Sequence, residues 1–274
     1  MSSLGILSFF ISEKESPKVD YESHTISYPE SIYTVKTEDT TTEGNEGIPQ
    51  KTATFREEIV RINGELAYIA YPLEFTEENP PTIVVYNHGQ FEKIDETYVE
   101  KNRLSSNLRT YAEELTKDNK YILAASNQHG DSWGDSASIK DNQDMINYIT
   151  ERNVTEDRVN LIGFSMGGYS ALNFSKKYPD QVASIALLSP GTGYFDWTTN
   201  EYRQLIGIPI KIWHGEDDVN ILISHSIDFV ETAKEKGLSI GLVSIPEYTH
   251  YDTDENLQSE VTNFFIETNR NAYQ

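Results

Sequence analysis

The chain has 274 residues, 37% of them hydrophobic and 11% aromatic, which is enough for one large core. Its 44 acidic and 22 basic residues give a formal net charge of -22 with no basic stretch to offset it, so nucleic acid and anionic membrane surfaces are excluded as expected partners and an uncharged or cationic partner is favoured. There is no cysteine, which excludes disulfides, thiolate metal sites and cysteine nucleophiles and leaves the redox state of the compartment open.

Near the start, LGILSFFIS has no basic residue before it and no small-residue cleavage site after it, so it reads as packing and not as an export signal. No uninterrupted apolar run approaches the ~18 to 20 residues that cross a bilayer. A soluble, cytoplasmic protein is expected, with leaderless export or packaging in a larger particle as the other routes. Residues 34–54, rich in Thr, Glu and Gly, read as a loop or linker, and HTISYPESIYTV before them as a candidate edge strand. The expected division is an N-terminal extension over 1–57, ending in the Thr/Glu-rich linker, and one domain over 58–274.

From Glu58 the pattern sharpens. EIVRI and ELAYIAY flank Asn63-Gly64, two residues that tolerate the positive φ of a type I′ turn, and predict a hairpin. Short β-rich runs then alternate with helical spacing: strands at 82–89, 121–126, 158–164, 182–189, 208–215 and 239–246, and helices near 104–118, 138–151, 166–178, 221–236 and 253–268. Strands apolar almost throughout, separated by helices, predict an α/β fold with a mostly parallel sheet covered on both faces.

Within this order, Gly163-Phe164-Ser165-Met166-Gly167 directly follows the strand RVNLI and directly precedes a helix whose face is Ala171, Phe174 and Tyr178. Such a match arises by chance roughly 0.1 times in a chain this long, so its setting decides. A strand-turn-helix junction is where a strained elbow lifts a serine out of a sheet, and the helix N-terminus behind it favours developing negative charge. The plainer alternative is a serine that N-caps a helix in a tight turn.

A serine hydroxyl attacks only when a base removes its proton, and the base needs a third group to orient it. In a doubly wound sheet the reacting groups gather at the carboxyl ends of strands, which selects His88, His129, His214 and His250 among the six histidines. His24 lies in the N-terminal segment. His225 reads as a solvated residue of the 221–236 helix, whose apolar stripe is Ile223, Ile227 and Val230 with Ser226 and Ala233 beside it. Three acids, Glu216, Asp217 and Asp218, follow another strand in IWHGEDDVN.

These motifs together resemble the α/β-hydrolase superfamily, over about residues 58–268. Its members carry Gly-x-Ser-x-Gly, then an acid, often as His-Gly-x-x-Asp, then a histidine after the last strand, and the order Ser165, Asp218, His250 reproduces this. The resemblance implies an α/β-hydrolase fold with an N-terminal antiparallel hairpin. It also implies Ser165 as nucleophile, His250 as base and Asp218 as its orienting acid. Asp217 stays open as the acid, since adjacent aspartates point in different directions. An oxyanion hole would come from the N–H of Met166 and, in YNHGQ, that of Gln90, with His88 and Gly89 shaping the turn; Gln90 departs from the family's His-Gly-Gly form, and a plain strand-end turn is the alternative. NQHGDSWGD resembles a family loop that lines the pocket. His129 and Trp133 in that loop, His88 in YNHGQ and Trp197 in the stretch after Ser189 are possible substrate-binding residues, with packing or turn-capping the alternative for His129, Trp133 and Trp197. Only about 18 residues separate the strand ending at Ser189 from that starting at Ile208, so no large lid is expected, and a short flap with Tyr194, Phe195 and Trp197 is the most that fits.

The function implied is hydrolysis of a small-molecule carboxylic ester through an acyl-enzyme, with no metal and no organic cofactor. A peptidase or thioesterase with the same triad, and a non-catalytic binding or assembly module of the same fold, are the alternatives. Oligomeric state is not legible.

Overall fold

The computed structural model describes residues 33–34, 54–95, 102–193 and 197–271. LGILSFFIS, most of the Thr/Glu-rich segment, Tyr194 and Phe195 lie outside them. A two-residue strand β1 (Tyr33–Thr34), inside the expected edge strand, pairs antiparallel with β2 (Phe55–Ile62), which pairs antiparallel with β3 (Glu65–Pro72). Asn63 and Gly64 turn the hairpin with φ of 50° and 99°. The division expected after residue 57 falls inside β2, because Phe55 already packs against the core.

The remaining elements alternate along the chain: β4 (Thr82–Asn87), α1 (Arg103–Thr116), β5 (Tyr121–Ser126), α2 (Ser136–Thr150), β6 (Val159–Phe164), α3 (Gly167–Lys177), β7 (Val182–Leu188), α4 (Thr199–Gln204), β8 (Ile210–Gly215), α5 (Ile223–Glu235), β9 (Gly241–Ile245), α6 (Asp252–Glu255) and α7 (Gln258–Asn271). The sheet runs β1-β2-β3-β5-β4-β6-β7-β8-β9, antiparallel up to the β3–β5 pair and parallel from β5 onward. Strand order reverses at β4, and a crevice opens beyond the carboxyl ends of strands at such a switch point.

Both faces of the strands are apolar because both are covered. Ile83, Val85 and Leu161 pack on one side against α2, α3 and α5, while Val84, Tyr86 and Ile162 pack on the other against α1 and α7. Each large side chain so buried stabilises the fold by roughly 1.5–3 kcal/mol. Polar residues fix the helix starts: Asn102 accepts from the Ser105 N–H, and Asp135 from those of Ala137 and Ser138.

Three expectations are corrected. The final helix is two, since Asn256 leaves the helical region (φ -125°, ψ 0°) and α7 starts afresh. Helix α5 buries Ser226, Phe229 and Ala233 and leaves Ile227 exposed, because the Ser226 hydroxyl bonds the buried His214 ring and turns that face inward. His225, expected in solvent, is half-buried beside Gly193. Between β7 and β8 the described residues hold only the six-residue α4, started by a capping box of Thr198 and Glu201, and no large lid. No helix among the described residues is long and apolar enough to cross a membrane.

Candidate active site

In the stretch 159–172 only Ser165 escapes burial. It sits between β6 and α3 at φ 52°, a conformation that costs a non-glycine residue roughly 1–3 kcal/mol and persists only when its surroundings over-determine it. They do: the Ser165 N–H donates to the Leu188 carbonyl (3.1 Å), and its own carbonyl accepts from the N–H groups of Gly168 (3.0 Å) and Gly191 (2.7 Å). The flanking glycines follow from close approach. A Cβ on Gly167 would stand 2.0 Å from the Asn87 carbonyl oxygen, and one on Gly163 2.8 Å from that of Gly167.

The loop after β9 brings His250 to this serine. Its Nε2 lies 2.9 Å from Ser165 Oγ and its Nδ1 2.7 Å from Asp218 Oδ2. Since Asp218 only accepts, Nδ1 carries the proton and Nε2 is left to accept from the serine hydroxyl. The ring is 5% exposed and stands against Phe164 and Tyr251, with centroids 5.0 and 5.3 Å away.

Asp218 is buried, and both oxygens of its carboxylate have partners. The N–H groups of Asn220 and Ile221 donate to Oδ1, each at 2.9 Å, and Oδ2 faces both His250 and His214 Nε2 (3.3 Å). Burial pushes its pKa up, but the hydrogen bonds from His214, His250 and Ile221 outweigh this and hold the carboxyl well below the usual range. Asp217 is exposed and pairs with no histidine among the described residues. His214 is fully buried, bonded to Ser226 Oγ (2.8 Å) and to the Ile221 carbonyl (2.8 Å), which makes it a brace for the acid.

In the loop after β4, the Gly89 N–H donates to Glu92 Oε2 (2.9 Å) and the Phe91 N–H to Asp131 Oδ1 (2.8 Å). The Gln90 N–H between them has no acceptor among the described residues, nor has that of Met166 at the start of α3. Unpaired N–H groups are the kind of donor that a developing oxyanion requires.

The other candidates separate. His88 is fully buried, its ring nitrogens 2.7 Å from the Gly89 carbonyl oxygen and 3.1 Å from that of Asn127; it shapes the turn and offers no surface to a ligand. Trp133, 40% exposed and at φ 52°, packs against Tyr169 in the first turn of α3, with ring centroids 5.7 Å apart and planes tilted by 57°. Trp197 packs instead on Tyr202 (5.3 Å) and Phe229 (6.2 Å) under the Lys176 ammonium, so it belongs to the core beneath α4. His129 is exposed, with Nδ1 2.6 Å from Asp141 and Nε2 3.7 Å from Glu65. The Asp141 hydrogen bond raises its pKa, while burial raises that of Asp141 against the opposing pull of His129. Glu65, His129 and Asp141 are ligand-type groups within 4.8 Å of one another, a cluster that the local sequence does not announce because it joins β3, the loop after β5 and α2. A cavity of about 560 Å³ lies at the starts of β4 and β5, lined by residues such as Glu74, Asp118 and Arg270, at the opposite end of the sheet from Ser165.

A family model described as phospholipase/carboxylesterase matches residues 122–269, more than half of the chain. An uncharacterised carboxylesterase, nap, of Bacillus subtilis (strain 168) is 27% identical over 139 residues, covering 48% of this chain and 40% of that relative's length. Among solved structures, a thermostable esterase aligns with a TM-score of 0.61 at 14% identity, covering 78% of this chain and 62% of the other. Est1E from Butyrivibrio proteoclasticus aligns with a TM-score of 0.58 at 17% identity, over 78% and 99%. At such identities the structural likeness speaks for the fold.

Proposed function

Because the chain belongs to the phospholipase/carboxylesterase family of α/β-hydrolases, we propose that it is a serine hydrolase that cleaves small carboxylic esters through an acyl-enzyme. The observation that carries this reading is the hydrogen-bonded line Ser165 Oγ–His250 Nε2, His250 Nδ1–Asp218 Oδ2 at 2.9 and 2.7 Å, anchored on a serine at φ 52°.

Ser165 Oγ attacks the ester carbonyl while His250 Nε2 takes its proton, and Asp218 stabilises the imidazolium that forms. The carbonyl oxygen gains negative charge and accepts from the N–H groups of Met166 and Gln90. The C–O bond to the alcohol breaks as His250 protonates the leaving oxygen. Water, deprotonated by the same Nε2, then attacks the acyl-serine, and collapse returns the proton to Ser165 Oγ and frees the acid. An alkoxide leaves more readily than an amine, which favours esters over amides. The described residues between β7 and β8 hold no large lid, and with Trp133 read as a border of the entry this favours small acyl or aryl esters.

A panel of p-nitrophenyl esters, aminoacyl amides and acyl thioesters tests the reading. Ester turnover is expected to be the fastest and to fall by roughly 10⁶ in Ser165→Ala. Faster amide or thioester turnover would move the substrate class, and full activity in Ser165→Ala would end the assignment.

A further inference from the structure

One side chain outside the Ser165–His250–Asp218 line touches the residue before Ser165, the residue after His250 and the loop that holds Gln90. Arg103, the first residue of α1, donates from Nε to Glu92 Oε1 (2.7 Å), with its Nη2 against the same oxygen, and from Nη1 to Asp254 Oδ2 (2.9 Å) and Glu255 Oε1 (3.3 Å). Its guanidinium carbon lies 4.7 Å from the Phe164 ring centroid and 4.8 Å from that of Tyr251. Phe164 precedes Ser165, Tyr251 follows His250, and both rings stand against the His250 imidazole. Glu92 takes the Gly89 N–H on its other oxygen, one residue before Gln90. Asp254 is fully buried, and the same Oδ2 also accepts from Tyr86 Oη (2.8 Å) and Asn107 Nδ2 (2.7 Å), which fixes the far end of the bridge to β4 and α1.

From these contacts we infer that Arg103 is a positioning residue for the proposed hydrolysis: it sets the Gln90 N–H and the His250 ring relative to Ser165 by joining Glu92, Asp254, Phe164 and Tyr251. A guanidinium is rigid and planar, with donors in fixed directions at its edge and two faces that stack on rings, so it holds carboxylates and aromatics in one geometry at once. An ammonium in its place supplies the charge without the plane. Gln90 acts through its backbone, so the direction of its N–H depends on the turn that Glu92 holds through Gly89, and a donor aimed at a developing oxyanion loses its effect with small misplacement.

This inference rests on the esterase reading, and its test keeps the two apart. Arg103→Met, Arg103→Lys and Glu92→Gln are compared with the wild type for thermal unfolding, for turnover of p-nitrophenyl butyrate per site titrated with a fluorophosphonate, and for inhibition by an alkyl trifluoromethyl ketone, which forms an oxyanion on the serine. Arg103→Met is expected to lower kcat by roughly 10- to 100-fold with KM within about twofold, and to weaken the ketone by the factor lost in kcat/KM. Arg103→Lys is expected to regain thermal stability and less than half of the lost rate. Glu92→Gln, which leaves the Asp254 bond in place, is expected to cost about 10-fold in both kcat and ketone affinity, and it decides the matter if Arg103→Met fails to fold. A folded Arg103→Met or Glu92→Gln with wild-type kcat per titrated site and wild-type ketone affinity overturns the inference, whatever its melting temperature. Full turnover in Ser165→Ala would instead overturn the esterase reading beneath it.

Discussion

Two neighbouring carboxylates, Asp217 and Asp218, differ in everything but composition. Asp218 is 2% exposed and takes two backbone N–H groups and two imidazoles, whereas Asp217 stands in solvent. Asp218→Asn is therefore expected to lower kcat by about 10⁴, by leaving the wrong tautomer of His250, and Asp217→Asn to change it by less than about twofold. The reverse ranking in p-nitrophenyl ester turnover would move the acid to Asp217. Sequence alone left this choice open because side-chain direction at adjacent positions is set by the loop, here by the turn that Asp218 closes on Asn220 and Ile221. The elbow, by contrast, was legible: Gly163 and Gly167 stand where a Cβ would strike backbone, so the motif records a steric need. His88 and Trp197 were legible as strand-end and loop residues but not as a buried and a partly buried ring, since a packed ring and a pocket wall share the same local pattern. Arg103 could not be found at all, because its partners sit at positions 92, 254 and 255.

The elements were easiest to read where burial is two-sided. Strands β4 to β7 are apolar at nearly every position because helices cover both faces, and their shortness separates them from buried helices. Amphipathic elements were harder: α5 presents Ile227 to solvent and turns Ser226 inward, a choice made by the His214 ring and invisible to hydrophobic spacing. Short α4 has no periodicity to detect, and its identity lies in the Thr198–Glu201 capping box and the Lys176–Glu201 ion pair. Helix α2 depends on its cap in the same way. Asp135→Ala removes the acceptor for two N–H groups and is expected to cost about 1 kcal/mol in urea unfolding, at unchanged slope. No loss of stability would mean that solvent satisfies those donors equally well. In the hairpin, Gly64 at φ 99° makes Gly64→Ala destabilising by about 1 kcal/mol or more, and a neutral result would show that the turn can change type.

Across the whole molecule, charge shapes how stability depends on pH. Burial pushes Asp254 up to about 6, with Arg103 pulling it down and Glu92 pushing it further up, while Tyr86 holds its carboxylate by a hydrogen bond. Glu255 on the same turn shares the Arg103 guanidinium, and Tyr111 packs nearby on α1. A carboxyl raised in the folded state binds more protons there than when unfolded, so its contribution is present at low pH and is lost as pH rises from about 4 through about 6. Asp218 has the opposite sign, and its contribution is lost as pH falls below the ordinary aspartate range. The melting temperature of Asp254→Asn is therefore expected to gain on that of the wild type as pH rises from 4 to 7; a constant difference would contradict the buried titration. The formal charge of -22 adds self-repulsion that salt screens, a second term that affects both proteins alike. The assignment of Ser165 as the nucleophile is tested most directly by intact-protein mass spectrometry after treatment with a fluorophosphonate, followed by mapping of the adduct. One adduct per chain, on the peptide holding Ser165, absent in Ser165→Ala and strongly slowed in His250→Ala, is the result expected. An unlabelled wild type, or a label that survives Ser165→Ala, would contradict it.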